Sequence, residues 1–154
     1  MKILDMDMNF ELVMVGKLFV AFIFGAFIGY DREKQGADAG IRTYAAICFG
    51  STLFTAIADS FNDITSASRI IANIIIGIGF LGAGIISKNE GANGAYGLTS
   101  AATVWCTAAV GVTVGLDMFI IAVVASCMLY FLLSLDRQLW YKRWKEKIKI
   151  KAAN

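Results

Sequence analysis

The chain contains no histidine, which removes the commonest metal ligand and the usual acid or base of neutral pH. Any chemistry is left to carboxylates, hydroxyls and thiols. Charge is also scarce, since 17% of the 154 residues are charged while 58% are hydrophobic, against roughly 25% charged in an average soluble domain. That balance marks a membrane chain. Cysteine is limited to Cys48, Cys106 and Cys127, all inside apolar segments and without C-x-x-C spacing, so they suggest neither a disulfide framework nor a zinc site. They read as reduced, buried thiols. No phosphate-binding loop, nucleophile–base pair or metal-ligand spacing is present, which leaves an enzyme without support and calls for no cofactor. The identity of any bound metal stays open, because a hard cation takes oxygen ligands, keeps several waters and leaves little fixed spacing to detect.

What the chain has instead is apolar length. A helix crossing about 30 Å of hydrocarbon needs about 20 residues, and five segments approach or meet that length: Phe10–Tyr30, Thr43–Ala58, Ile70–Ser87, Leu98–Leu116 and Met118–Leu135. The fold class this predicts is an all-α integral membrane protein, a bundle of five transmembrane helices over residues 1–136, followed by a basic amphipathic tail over 137–154. The turn around Asp117 is so short that spans four and five are antiparallel neighbours. Span two is the shortest and carries Ser51, Thr52 and Thr55, so it is expected to be tilted, extended into Arg42 or partly interfacial.

Orientation follows from the basic residues. Met1 to Glu11 holds three acids against one lysine, the wrong charge for a secretory leader, so the first apolar segment stays as a span. Arg32, Lys34, Arg42, Lys88 and seven basic residues of the tail fall on one side, against Lys2 and Arg69 on the other. This places the N-terminus outside and the C-terminus in the cytoplasm. In the tail, Trp140, Tyr141 and Trp144 interleave with lysines and arginines. Directly attached to a span, that pattern fits an anionic inner leaflet rather than nucleic acid.

The densest feature is Gly77-Ile78-Gly79-Phe80-Leu81-Gly82-Ala83-Gly84, four glycines in eight residues without a charge or a proline. It contains G-x-G-x-x-G, the dinucleotide fingerprint, but that motif requires a strand before it and a βαβ unit around it. Here it lies inside an apolar run of bilayer length. The glycines Gly77, Gly79, Gly82 and Gly84 therefore read as a close-packing face of span three, against which spans one and four are expected to close. Gly25 and Gly29 on span one, and Gly111 and Gly115 on span four, form G-x-x-x-G pairs with the same purpose. Such faces serve contacts within one bundle as readily as contacts in a homo-oligomer.

The polar candidates divide into two groups. Asp31, Arg32, Glu33 and Arg42 follow the first span and can form an ion-paired cluster at the cytoplasmic mouth, holding spans in register or receiving a cation; a solvated loop is the plainer reading. Asn73 shares a helical face with Arg69 and Gly77, where it either bonds another helix or lines a pathway. Thr99, Thr103, Cys106 and Thr107 lie along neighbouring stripes of span four, although hydroxyls also bond their own preceding turn. Lys17 and Glu11 sit near the outer end of span one, where lysine is expected to snorkel. No span has an evident ionisable group near its middle, which counts against a proton-coupled pump.

These stretches resemble the MgtC/SapB family. Gly25-Ala26-Phe27-Ile28-Gly29-Tyr30-Asp31-Arg32-Glu33 is similar to its G-A-x-I-G-x-[DE]-R-E, and Gly40-Ile41-Arg42-Thr43 to its G-[LI]-R-T. Ile78 to Gly84 resembles its I-G-F-L-G-A-G, and Gly97 to Cys106 its G-L-x-T-A-A-T-L-W-C. The resemblance implies a bacterial inner-membrane protein with a five-span domain, associated with magnesium limitation and, in pathogens, virulence. Some members are regarded as regulators that restrain ATP synthase, which makes such a membrane complex an expected partner. Functional positions in the family would fall on Thr99, Cys106 and Glu90 with Gly91. Longer members carry a soluble ACT-like domain after span five, where this chain has only its short tail. The expected function is a non-enzymatic regulator linked to magnesium homeostasis; the alternative is a small transporter or channel for Mg²⁺ or another small ion.

Overall fold

A computed structural model of the chain describes residues 8–61, 63–88, 95–138, 141 and 143. Five α-helices make up the fold: α1 (Met8–Lys34), α2 (Ile41–Asp59), α3 (Ile64–Ile85), α4 (Leu98–Gly115) and α5 (Phe119–Ser134). A two-residue antiparallel ladder, β1 (Ser87–Lys88) with β2 (Ala95–Tyr96), joins α3 to α4, and a 3₁₀ turn (Leu135–Arg137) follows α5. In hydrocarbon every backbone group must be satisfied internally, so apolar runs of this length resolve as helices. Helices α1 to α4 are long and apolar enough to cross a bilayer, while α5 has 16 residues and gains a turn from the 3₁₀ segment.

The helix ends correct two expectations. The charged stretch after span one is not a loop, because Asp31 to Lys34 form the last turn of α1. The chain reverses just beyond, at Gly36, whose φ of 67° is a left-handed conformation that favours glycine. Helix α3 begins six residues before the apolar run, since Asp63 caps it by accepting from the backbone N–H groups of Thr65 and Ser66, each at 3.1 Å. The Ser66 hydroxyl donates to the same carboxylate at 2.5 Å. That bond, followed by the two backbone donors, lowers the Asp63 carboxyl below its ordinary 3.8. Gly97 (φ 85°) and Asp117 (φ 61°) make the left-handed turns that start α4 and lead from α4 to α5.

Helix α2 forms the centre of the bundle, packed on α1, α3 and α4. Half of its spanning stretch is buried, against 6% for α3. Span two is thus extended into Arg42, one of the outcomes expected for it, and with α4 it is one of the two innermost helices; Ser51, Thr52 and Thr55 are tolerated there because they face other helices. Glycines set how close those helices come. A Cβ added at Gly25 would lie 2.5 Å from the Tyr44 carbonyl, and one at Gly29 would lie 2.7 Å from the Ile41 Cα. Added carbons at Gly111 and Gly115 would collide with the Cys48 carbonyl and with Thr55. Both G-x-x-x-G pairs therefore grip α2, Gly25 and Gly29 along its first half and Gly111 and Gly115 along its second, the two contacts meeting at Cys48.

The glycines of α3 behave differently. Gly77, Gly79 and Gly84 have no atom within 4 Å of an added Cβ, and Gly82 meets only the Ala101 methyl at 3.7 Å. Among the described residues the expected closure is confined to this contact of Gly82 with α4, because the small faces of α1 and α4 are largely spent on α2.

Candidate functional site

The four residues of the expected charged cluster, three in the last turn of α1 and Arg42 at the start of α2, each do something different. Asp31, only 1% exposed, pairs with Arg137 Nη2 at 2.5 Å and accepts from Gln35 Nε2 at 2.5 Å. Arg32 reaches across to α4, donating to the Ser100 hydroxyl, and also to Gln35 Oε1 at 3.3 Å; its Nε is buried without a partner among the described residues. Glu33 accepts from the Ile41 backbone N–H at 2.8 Å, satisfying one orphan donor at the start of α2. Gly40 must be bare for this, since a Cβ there would sit 2.6 Å from the Glu33 oxygen. Arg42 is exposed, and among the described residues no acid pairs with it. Arg137, assigned by sequence to the tail, is thus docked on α1.

From this end inward, hydroxyls join helices in the interior. Thr103 donates to the Thr99 carbonyl (2.9 Å) or the Ser100 carbonyl (3.0 Å), so the buried Tyr44 hydroxyl, 2.6 Å away, donates to Thr103. Thr107 bonds back to the Thr103 carbonyl at 2.8 Å, and Thr52 reaches the Gly111 carbonyl at 2.7 Å, from α2 to α4. Lys17 does not snorkel outward. Its side chain is 10% exposed and pairs with Asp117 at 2.7 Å while donating to the Gly115 carbonyl at 3.2 Å, which ties α1 to the α4–α5 turn.

The remaining candidates are dispersed. Thr103 is buried between α2 and α4, whereas Thr99 is exposed on the first turn of α4. Cys106 is half-buried and lines a groove of about 340 Å³ between α4 and α5 with Trp105 and Leu129. Asn73 is exposed and lines a separate groove of about 530 Å³ between α3 and α2, beside Gly50, Phe54 and Gly77. Its amide has no hydrogen-bond partner among the described residues. Glu90 and most of the basic tail lie outside the described residues. No group of three potential metal-ligating side chains occurs among the described residues.

Sequence reasoning missed the Asp31–Arg137, Lys17–Asp117 and Tyr44–Thr103 pairs. Signals for the second were present: a lysine inside an apolar run, and an aspartate in the tight turn at the same end of the bundle. A charge in a span is expected to have a nearby partner.

Bilayer-length helices gripped by glycines and joined by buried polar bonds define a multi-pass helical membrane protein. The sequence model of the MgtC family matches residues 18–141, and the chain belongs to that family. It is 33% identical over 148 residues to Protein SrpB of Synechococcus elongatus, covering 86% of this chain and 81% of that protein. It is 41% identical over 119 residues to Protein MgtC of Brucella abortus, covering 77% of this chain and 49% of the relative. It is also 36% identical over 135 residues to YhiD of Escherichia coli K12, described as a candidate magnesium transporter, covering 82% and 61%. The chain therefore spans about half of the Brucella protein. No solved structure matches it. The names of these relatives connect the family to magnesium and describe no enzyme.

Proposed function

We propose that this chain is a non-enzymatic regulator in the bacterial inner membrane, linked to magnesium homeostasis and acting through contacts with other membrane complexes. In this reading α5 is a fifth span, and the Arg32 end faces the cytoplasm, as the distribution of basic residues favours. The observation that carries the reading is the state of Asp31. This buried carboxylate is already held by Arg137 and Gln35, and the hydroxyls of Tyr44, Thr103 and Thr52 are spent on bonds within the bundle. Polar groups placed this way fix a shape. Exposed Arg42, beside the rigid Glu33-capped start of α2, supplies a charged contact point.

Chemical cross-linking in native membranes from cells grown at low magnesium, followed by purification, tests this. A membrane complex should be captured with the chain and be lost with Arg42→Glu. A chain that is captured alone and carries Mg²⁺ in vesicles would overturn the reading. Transport is the second reading, favoured by the description of the Escherichia coli relative; its path would be lined by Asn73, Thr99 and Thr103, with Asp31 or Glu33 at the mouth.

A further inference from the structure

The open face of α3 is patterned for one occupant. Ser66, Ile70, Asn73, Gly77, Phe80 and Gly84 follow one another at alternating spacings of four and three, the a/d repeat of a two-helix seam. At 3.6 residues per turn they fall within about 80° of arc. None of the six is buried, and Phe80 is 81% exposed. The face that α3 turns inward is a different one, carrying Ile78 and Gly82.

Two features of the seam say what covers it. The first is Asn73. It lies nine residues into the 22-residue helix, near mid-bilayer, where an unsatisfied polar group costs several kcal/mol. Its amide has no partner among the described residues, and an acyl chain can offer none. An amide carries both donors and an acceptor, so it can satisfy itself against a copy of itself across a twofold axis. The second is relief. Phe80 projects beside two bare glycines, Gly77 and Gly84, whose missing side chains leave open space. On a parallel copy in the same register, the ring of one chain fits over the glycines of the other. A polar residue within the apolar part of such a seam, as Asn73 is between Ile70 and Gly77, fixes register and restricts the assembly to a pair.

We infer that two copies of this chain associate through α3, with parallel helices, Asn73 paired to Asn73 near the axis, and Phe80 seated over the partner copy's glycines. The groove between α2 and α3, about 530 Å³ and lined by Asn73, Gly77, Gly50 and Phe54, borders this seam and is narrowed by it. The inference is independent of the regulatory reading, since a transporter can use the same seam.

The test uses the full chain in vesicles of phosphatidylethanolamine and phosphatidylglycerol, with single-molecule photobleaching as a function of protein density. The unsubstituted chain should bleach in two steps as density rises. Asn73→Leu should weaken pairing by about 3- to 30-fold, the equivalent of about 0.6 to 2 kcal/mol for an interhelical polar bond, while Asn73→Gln retains most of it. Gly77→Ile should abolish pairing, whereas Gly79→Ile, equally bare but off the seam, should leave it unchanged. In a Cys127→Ser background, cysteines at 70, 77 and 84 should cross-link on oxidation, and cysteines at 76, 79 and 83 should not. Single-step bleaching at every density overturns the inference. So does cross-linking that follows the second set, or a monomer that retains a phospholipid or a foreign helix on α3 in native mass spectrometry.

Discussion

Helices α2 and α3 carry the two halves of the lesson. Helix α2 is the more polar, yet half of its spanning stretch is buried; α3 is more uniformly apolar, yet only 6% of its stretch is buried. In water this would be inverted, but lipid tails are as apolar as leucine and do not push apolar faces together. Burial then follows whichever helix offers bare backbone and polar bonds. Helix α2 receives Gly25, Gly29, Gly111 and Gly115 and joins α4 through Tyr44 and Thr52, whereas the glycines of α3 meet almost nothing in their own chain.

The contrast breaks most visibly at the glycines. Gly111→Leu drives a side chain into the Cys48 carbonyl and should cost more than about 3 kcal/mol, beyond the about 1 to 3 of ordinary overpacking, because the obstacle is backbone. Gly79→Leu should stay within about 0.5 kcal/mol. Reversible unfolding in mixed micelles checks both, and equal losses would erase the distinction between the two faces.

Next comes the ion pair that closes the Arg32 end. Arg137→Ala leaves the buried Asp31 with Gln35 alone. Removing one partner of a fully buried pair costs about 3 to 5 kcal/mol; with Arg137 47% exposed, about 2 kcal/mol is expected. Hydrogen exchange at residues 135–138 should rise with it. Unchanged exchange would mean that the pair does not hold the turn in place.

A smaller effect sharpens the role of α2. Thr103→Val strands the Tyr44 hydroxyl and should cost about 1 kcal/mol. Adding Tyr44→Phe should restore part of that loss, as the orphaned donor is then gone. A purely additive double variant would show that the two hydroxyls are not coupled.

The smallest effect lies at the exposed start of α3. The Asp63 carboxyl is lowered by the Ser66 hydroxyl and by two backbone donors, so its cap contributes fully above pH 3.8 and is lost as the pH falls through the lower folded value. Asp63→Ala should speed exchange in the first turn of α3 at neutral pH. That difference should vanish under acid, and its persistence there would assign the effect to something other than the charge.

Much of this fold was readable because apolar length dictates helices. The expected Leu98–Leu116 and Met118–Leu135 differ from α4 and α5 by a residue at each disputed end. The first turn of α3 was missed although Asp63 and Ser66 form a recognisable cap, since hydropathy weighs only the apolar run. Which glycines pack against what was not legible, because G-x-x-x-G marks a bare face without naming its partner. Asp31 and Arg137 are separated by more than half of the chain, and no local pattern announces such a pair. The candidates Asn73, Thr103 and Cys106 share no cavity, because helical spacing places residues on faces but does not say which faces meet.

The central claim is that Asp31, Lys17 and the hydroxyls of Tyr44, Thr103 and Thr52 are spent on holding the bundle together, and Mg²⁺ uptake by vesicles containing the unsubstituted chain tests it most directly. The account predicts uptake no greater than that of empty vesicles. Uptake that depends on the chain, and that falls in a folded Asn73→Leu variant, would contradict it.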